Sequence, residues 1–122
     1  MEVNIDINTV KDKIIYVASP YAGDIEKNVR YAQDACRAVL LAGAHPYAPH
    51  LYITNILRDD VPEEREQGLK TGLAFLTVCD ELWVFGPRIS KGMAGEIAEA
   101  ERLGKPIRYV DLDLKITERN SK

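Results

Sequence analysis

The chain has 122 residues, of which 46% are hydrophobic and 29% charged, a composition typical of one globular domain. A formal net charge of -3, with scattered Lys and Arg, excludes the basic surface of a polynucleotide-binding protein. The sequence has neither an apolar run as long as a membrane span nor a signal peptide, so we expect a cytoplasmic protein without a membrane partner. Cys36 and Cys79 are too few and too far apart for a metal framework, and we expect buried thiols and no metal.

The apolar pattern predicts strands that alternate with helices. Residues 1–12 are polar and are predicted to form a loose lead-in. The predicted elements that follow are a strand at 13–19, a helix from an N-cap at Asp24 to about Ala42, a strand at 45–48, a helical turn at 52–57, a helix from Pro62 to about Val78, a strand at 81–85, a helix at 93–103 and a strand at 107–110. A polar tail, 112–122, has room for one short edge element.

This alternation implies right-handed crossovers and a parallel sheet covered on both faces. We therefore predict one domain over residues 1–122, a small doubly wound (Rossmann- or flavodoxin-like) α/β fold with four to five parallel strands. Such sheets bind ligands at the carboxyl ends of their strands. The residues predicted there are Ser19, Pro20, Tyr21, Pro49, His50, Gly86 to Gly92 and the start of the last helix, including Met93.

Glu96 has an unusual position on that last helix. On a helical projection it falls inside the apolar stripe formed by Met93, Ile97, Ala100 and Leu103. A carboxylate on an inward face is paired, hydrogen-bonded or used in function. The structural alternative is a glutamate in the first turn that interacts favourably with the helix dipole.

Two stretches carry a family resemblance, IIYVASPYAGD with its following helix ending LLAGAHPYAPH, and CDELWVFGPRISKGMAGEIAEAERLGKPI. Together they cover most of residues 14–107. The second stretch resembles the nucleoside 2-deoxyribosyltransferase-like superfamily. The resemblance lies in the order and spacing of five features: an acid before the strand, a serine, a glycine, the glutamate and a GKP turn. That group includes deoxyribosyltransferases, 5′-monophosphate N-glycosidases and small phage-type or bacterial relatives without assigned roles, and the chain is most similar to the last of these.

The resemblance implies roles for particular residues. Glu96 would attack C1′ of the sugar and form a glycosyl-enzyme intermediate, while Tyr16 would orient its carboxylate by a hydrogen bond. Ser90, six residues before Glu96, would bind a 5′-phosphate, assisted by backbone N–H groups at the helix start around Gly92. Asp80 matches an acid just before the strand. Neither a metal nor an organic cofactor is implied.

The chain departs from the active members of that superfamily in two places. Gly72 stands where they have an aspartate that protonates or hydrogen-bonds the leaving base. The first loop also has Pro20 and Tyr21 where some monophosphate hydrolases have arginines. Either His50, Asp80 or Glu66 supplies the proton, or catalysis has been lost.

Each candidate also has a structural interpretation. Ser90 fits an N-cap, and Asp80 fits a residue that accepts hydrogen bonds at the strand entrance. A lone histidine such as His50 is more often a packing or hydrogen-bonding residue than a catalyst. Tyr21, in the first loop, is the better placed tyrosine for stacking on a base.

Three functions remain open from the sequence. The first is a nucleoside or nucleoside 5′-monophosphate N-glycosidase or deoxyribosyltransferase that uses Glu96. The second is a catalytically inactive nucleotide-binding module, a sensor or a sequestering protein, with the same pocket. The third is a subunit whose oligomeric surface matters most, because the resemblance implies a homodimer or larger homo-oligomer. In all three the partner is a small nucleoside or nucleotide and not a polynucleotide.

Overall fold

The computed structural model describes residues 3–117, and every structural statement below refers to them. Two single-turn 3-10 helices, Ile7–Thr9 and Ile53–Asn55, supplement the main elements. The main elements are β1 Val3–Asn4, β2 Ile14–Ala18, α1 Ile25–Leu41, β3 His45–Tyr47, α2 Pro49–Tyr52, α3 Pro62–Leu76, β4 Glu81–Phe85, α4 Lys91–Arg102, β5 Ile107–Val110 and β6 Lys115–Ile116. Within residues 3–117, no helix is both long and apolar enough to cross a membrane.

The strands form one six-stranded sheet in the order β1-β6-β5-β4-β2-β3. The four strands from β5 to β3 run parallel, whereas β6 pairs antiparallel with β5 and β1 pairs antiparallel with β6. The predicted doubly wound α/β fold is therefore confirmed. The sheet exceeds the predicted four to five strands because both ends of the described chain add a short antiparallel strand.

The predicted loose lead-in at residues 1–12 is wrong for the part that the structure describes. Val3–Asn4 forms β1, Ile5 is buried, and Val10 is fully buried in the core. Ile5 and Val10 pack in the same core layer as Val39 and Trp83, which orders this stretch although most neighbouring side chains are polar. In the predicted polar tail, Lys115–Ile116 forms an edge element, β6, and residues 118–122 lie outside the described part.

Helices pack on both faces of the sheet and form two core layers. Alternate β2 residues face opposite sides, so Ile15 and Val17 join the layer under α1, and Tyr16 and Ala18 join the layer under α3 and α4. Trp83 lies in the first layer, as a core residue. The face that carries α3 and α4 also carries the candidate site.

The connection from β3 to α3 forms one wall of that site. The helical turn predicted at 52–57 begins earlier, as α2 at Pro49, because proline suits the first turn of a helix. The 3-10 turn Ile53–Asn55 then leads to α3, which begins at Pro62 as predicted. An ideal Cβ on Gly68 would lie 3.1 Å from Cγ2 of Ile53, so glycine allows α3 to pack closely against this turn.

A buried charged network lies on the other face, at the amino end of β4. Glu81 is 1% exposed and accepts hydrogen bonds from Lys13 Nζ at 2.9 Å, Trp83 Nε1 at 2.8 Å and Arg108 Nε at 2.8 Å. Burial alone would raise the pKa of Glu81, but these hydrogen bonds outweigh it and lower the pKa to about 2. The carboxylate therefore joins the N-terminal residues before β2 to strands β4 and β5.

We predict that Glu81→Gln destabilises the fold by about 3 kcal/mol at pH 7, because it leaves buried donors without a charged acceptor. The folded-state pKa of Glu81 lies below its ordinary value of 4.5, so the stabilisation is complete above that pH and is lost as pH falls toward 2. Urea unfolding at pH 7 and pH 3 measures this difference. Glu101→Gln, on the exposed surface of α4, is the matched control, and equal stability of the two variants at pH 7 would contradict the prediction.

Candidate functional site

A cleft of about 460 Å³ opens between α3, α4 and the loops that follow β2 and β3. It lies on the α3–α4 face of the sheet, and its walls are mostly apolar. The residues that line it are Tyr16, Tyr21, Pro49, His50, Ile53, Thr54, Leu57, Arg58, Asp59, Glu64, Arg65, Gly68, Leu69, Gly72, Leu73, Lys91, Gly92, Gly95 and Glu96. A largely apolar concave site with a few converging polar groups is typical of small-molecule binding.

The hydrogen bond between Tyr16 and Glu96 is the main polar contact inside the cleft. Tyr16 stands in the middle of β2, and its hydroxyl donates to Oε2 of Glu96 on α4 at 2.6 Å. Tyr16 is 1% exposed, so the sheet fixes its ring, and the bond fixes one carboxylate oxygen. The second oxygen, Oε1, is also buried and has no hydrogen-bond partner among the described residues.

The environment of Glu96 changes its acidity. Burial raises the pKa of Glu96 to about 7, although the hydrogen bond from Tyr16 acts in the opposite direction. Burial and the nearby carboxylate raise the pKa of Tyr16 above its ordinary value, so the phenol keeps its proton and remains the donor. At pH 7 about half of Glu96 is therefore ionised, in a low-dielectric site where the buried Oε1 has no hydrogen-bond partner among the described residues.

Tyr21 and His50 form an aromatic wall at the carboxyl ends of β2 and β3. Their rings stack with centroids 4.8 Å apart and an angle of 24° between planes. Burial lowers the pKa of His50, while a hydrogen bond with the Ser19 backbone and the charge of Asp59 act in the opposite direction. His50 is therefore mostly neutral at pH 7, and both of the predicted residues line the cleft.

Gly72 lies directly beside the Tyr16–Glu96 pair. An ideal Cβ at this α3 position would lie 3.2 Å from the Tyr16 hydroxyl oxygen and 3.8 Å from Cβ of Pro49. Gly72 and Gly68 are one turn apart on the same face of α3, so this wall of the cleft is formed partly by backbone. Where the resemblance predicts an acid, the wall has no side chain.

Ser90 is the N-cap of α4, which was the structural alternative to phosphate binding for this serine. Its Oγ accepts a hydrogen bond from Met93 N at 3.2 Å and caps α4. Met93, predicted to bind substrate, is 1% exposed and packs in the core, because the cap turns its side chain inward. Ser90 is half-buried beside the cleft but does not line it, whereas Gly92 does.

Other predicted ligand residues hold the loops together instead of lining the cleft. Pro20 and Gly86 are buried against each other, with an ideal Cβ on Gly86 only 3.1 Å from Cδ of Pro20. Gly86 has a φ of 113°, which a side chain would strain. Ser19 is fully buried and lies outside the cleft lining. The carboxyl-end position of these residues was predicted correctly, but packing between the two loops closes them off from the cleft.

Asp80, predicted as catalytic, lies away from the cleft. It is an exposed residue immediately before β4, so it stands at the amino end of the sheet, opposite the cleft. Its Oδ2 accepts a hydrogen bond from Ile14 N at 2.8 Å, and its own N–H donates to Ile14 O at 2.7 Å. Asp80 therefore aligns β4 with β2. Glu66, the other acidic candidate on α3, is exposed and also lies outside the cleft lining.

Several cleft residues on the wall formed by α3 and the segment before it were not predicted from the sequence. Thr54 and Leu57 belong to the connection from β3 to α3, where the apolar pattern was ambiguous, and Leu73 lies on the predicted helix α3. One signal was available in the glycine spacing. Gly68 and Gly72 are four residues apart on α3, and Gly92 and Gly95 are three apart on α4, so each pair faces one side of its helix.

No group of three or more His, Cys, Asp or Glu side chains within residues 3–117 could hold a metal ion. Cys36 and Cys79 are unpaired, and burial raises the pKa of each thiol to about 11. Neither is a thiolate at neutral pH, which agrees with inert packing residues.

The fold is that of the nucleoside 2-deoxyribosyltransferases. A 2-deoxyribosyltransferase from the psychrotolerant bacterium Bacillus psychrosaccharolyticus superposes with a TM-score of 0.61 at 23% identity, over 80% of this chain and 72% of that one. A second, from Leishmania mexicana, gives 0.55 at 21% identity, over 81% of this chain and 64% of that one. At these identities the likeness establishes the fold.

A family model described as a domain of unknown function, DUF7768, matches residues 13–110, and the chain belongs to this family. The match spans β2 to β5 and so includes Tyr16, Gly72 and Glu96. A comparison with curated proteins finds no match.

We predict that Tyr16→Phe raises the pKa of Glu96 above about 7, because it removes the hydrogen bond that stabilises the carboxylate. A carbon-13 NMR titration of the glutamate side chains measures this directly, with Glu96→Gln used to assign the resonance. Tyr52→Phe, an exposed tyrosine in α2, is the matched control and leaves the titration unchanged. An unchanged or lower pKa in Tyr16→Phe would show that the phenol does not stabilise the charged form.

Proposed function

We propose that this protein cleaves or transfers the N-glycosidic bond of a nucleoside or nucleoside 5′-monophosphate, with Glu96 as the nucleophile at C1′. One observation carries the proposal: a buried carboxylate in a nucleoside-sized cleft is held through Oε2 and has its other oxygen unpartnered. The 2-deoxyribosyltransferase fold and the sequence resemblance support the same reaction class.

The chemistry follows from the two carboxylate oxygens. Departure of the base leaves positive charge at C1′, which Oε1 of Glu96 stabilises and then captures as a glycosyl ester. Tyr16 holds the carboxylate in place and reduces the energetic cost of ionising it in a buried site. Water or a second base then attacks C1′ and releases Glu96, so the same arrangement serves hydrolysis and transfer.

The remaining cleft residues divide between the two ends of such a substrate. The start of α4, with Lys91 and Gly92, offers a positive side chain and backbone N–H groups to a 5′-phosphate. Tyr21, stacked on His50, offers a flat aromatic surface to the base. In this proposal Ser90 acts mainly by capping the helix that presents Glu96.

A second candidate function is binding of a nucleotide without turnover, as a sensor or sequestering module. Gly72 favours it, because the cleft wall beside Tyr16 offers no acid for a leaving base. For either function we propose one domain over residues 1–122, acting as a cytoplasmic homo-oligomer. Ile56 and Leu69, both large and exposed near the cleft, are consistent with a surface between copies.

The deciding experiment incubates the protein with ribo- and deoxyribonucleosides and their 5′-monophosphates and follows the released base by chromatography. We predict release that Glu96→Gln lowers by about 1,000-fold or more, since the nucleophile is removed. Glu101→Gln, an exposed glutamate on the same helix, keeps the wild-type rate. Including a second free base in excess separates transfer, which forms a new nucleoside, from hydrolysis.

The binding-only function gives a different result in the same panel. Ligands would raise the melting temperature through preferential binding to the folded state, but no base would be released at any pH between 5 and 9. Release that is unaffected by Glu96→Gln would contradict the proposed nucleophile.

A further inference from the structure

The cleft has a nucleophile but no evident proton donor for the leaving group. Gly72 faces the Tyr16–Glu96 pair without a side chain. The Tyr16 proton is already donated to Glu96 at 2.6 Å. Around the Tyr16–Glu96 hydrogen bond, α3 therefore contributes no acid, and the pair itself consists of one carboxylate and the phenol that stabilises it.

The other acidic groups of the cleft lie toward its mouth. Glu64 is eight residues before Gly72 on α3, about 12 Å along the helix axis, and it accepts a hydrogen bond from Arg58 N at 2.6 Å. Asp59 precedes the helix, is exposed, and lies 4.0 Å from Arg65. Both carboxylates thus interact with arginine residues at the outer end of the cleft, Glu64 with the backbone of Arg58 and Asp59 with the side chain of Arg65.

His50 is also a poor donor in this setting. Its ring is stacked on Tyr21 and is hydrogen-bonded to the Ser19 backbone, and burial lowers its pKa. It is mostly neutral when Glu96 is ionised. Lys91, at the other end of the cleft, opens α4 on the exposed surface.

We propose that the cleft acts on N-glycosides whose leaving base needs no proton, namely nucleosides or nucleotides in which the base carries a fixed positive charge, such as an N-alkylated purine or a pyridinium. This inference rests on the proposed function and names its substrate class. A neutral base must be protonated as it leaves, a contribution of about 10²–10⁴ in rate when an acid supplies it. A cationic base leaves as a neutral molecule and does not require that acid.

The bonds and charges balance without a further reactant. The C1′–N bond breaks and its electron pair neutralises the ring nitrogen, while Oε1 of Glu96 bonds to C1′. Water then attacks C1′, the ester bond returns its electron pair to Glu96, and the proton of water passes to solvent. The sum converts a cationic nucleoside and water into a neutral base, a free sugar and one proton.

The walls of the cleft also suit a cationic ring. The aromatic face of Tyr21 attracts a positive ring by a cation–π interaction. A fixed cation near Glu96 favours the charged form of a carboxylate that burial otherwise disfavours. Binding of such a substrate therefore increases the fraction of Glu96 that is ready to attack.

The test compares 7-methylguanosine with guanosine, which share a sugar and differ by one methyl group and its charge. Nicotinamide riboside and 4-nitrophenyl β-ribofuranoside, whose leaving groups also need no proton, extend the series, and enzyme-free rates are subtracted. We expect kcat/KM for 7-methylguanosine to exceed that for guanosine by about 100-fold or more, with all turnover lost in Glu96→Gln. Comparable kcat/KM values, within tenfold, would overturn this inference and leave the proposed function intact, whereas no release from any substrate would overturn both.

A pair of variants tests the role of position 72. Gly72→Asp places an acid beside Tyr16 and Glu96 and is expected to raise guanosine turnover at least tenfold, which reduces the preference for 7-methylguanosine over guanosine. Gly72→Ala introduces a similar Cβ without an acid and is not expected to raise guanosine turnover. An equal effect of the two variants would overturn the role assigned to Gly72. Because a Cβ at this position would lie 3.2 Å from the Tyr16 hydroxyl, circular dichroism checks the fold of both. If neither folds, the leaving-group series with the unmodified protein decides.

Discussion

A single hydrogen bond, from the Tyr16 hydroxyl to Glu96, connects the centre of the sheet to the second turn of α4 and lies at the centre of the candidate site. It is possible only because several independent features agree. The β2–β4 register directs Tyr16 to the face covered by α3 and α4. The Ser90 cap sets the rotation of α4 that turns Glu96 inward. Gly72 leaves room for the hydroxyl between the two helices. A change in any of these would leave a carboxylate buried without its partner, which is costly.

Two glutamates of this fold show how environment decides the use of a buried carboxylate. Glu81 has three donors, a lowered pKa and a structural role at the amino end of β4. Glu96 has one donor and a raised pKa at the opposite end of the sheet. For Glu96 the folded-state pKa lies above the ordinary value, so its ionisation costs stability as pH rises through about 7. The folded state is thus less stable at neutral pH than it would be if both carboxylate oxygens were hydrogen-bonded, because the buried Oε1 has no partner among the described residues.

The sequence was sufficient for the fold and for the inward position of Glu96, because both depend on strong local patterns. The strands follow from continuous apolar runs, the N-cap at Asp24 from its residue type, and the inward position of Glu96 from the helical period of 3.6 residues. Contacts between distant segments were not accessible in this way. The N-terminal segment packs into the core through Ile5 and Val10. The prediction from sequence missed this because most side chains of that segment are polar. The roles of Asp80, which aligns two strands at the amino end of the sheet, and of Pro20, which packs on Gly86, were also missed. Both roles depend on which segments meet in three dimensions, and local patterns do not show this.

The central claim is that Glu96 forms a covalent bond with C1′ of a sugar. The most direct measurement is mass spectrometry of the protein after rapid acid quenching during turnover of 7-methylguanosine, followed by trypsin digestion. Cleavage after Lys91 and Arg102 isolates residues 92–102, and fragmentation distinguishes Glu96 from Glu99 and Glu101. A pentosyl adduct on Glu96 that is absent from Glu96→Gln is the predicted result. Steady release of base with no adduct on this peptide, or an adduct on another residue, would contradict the claim.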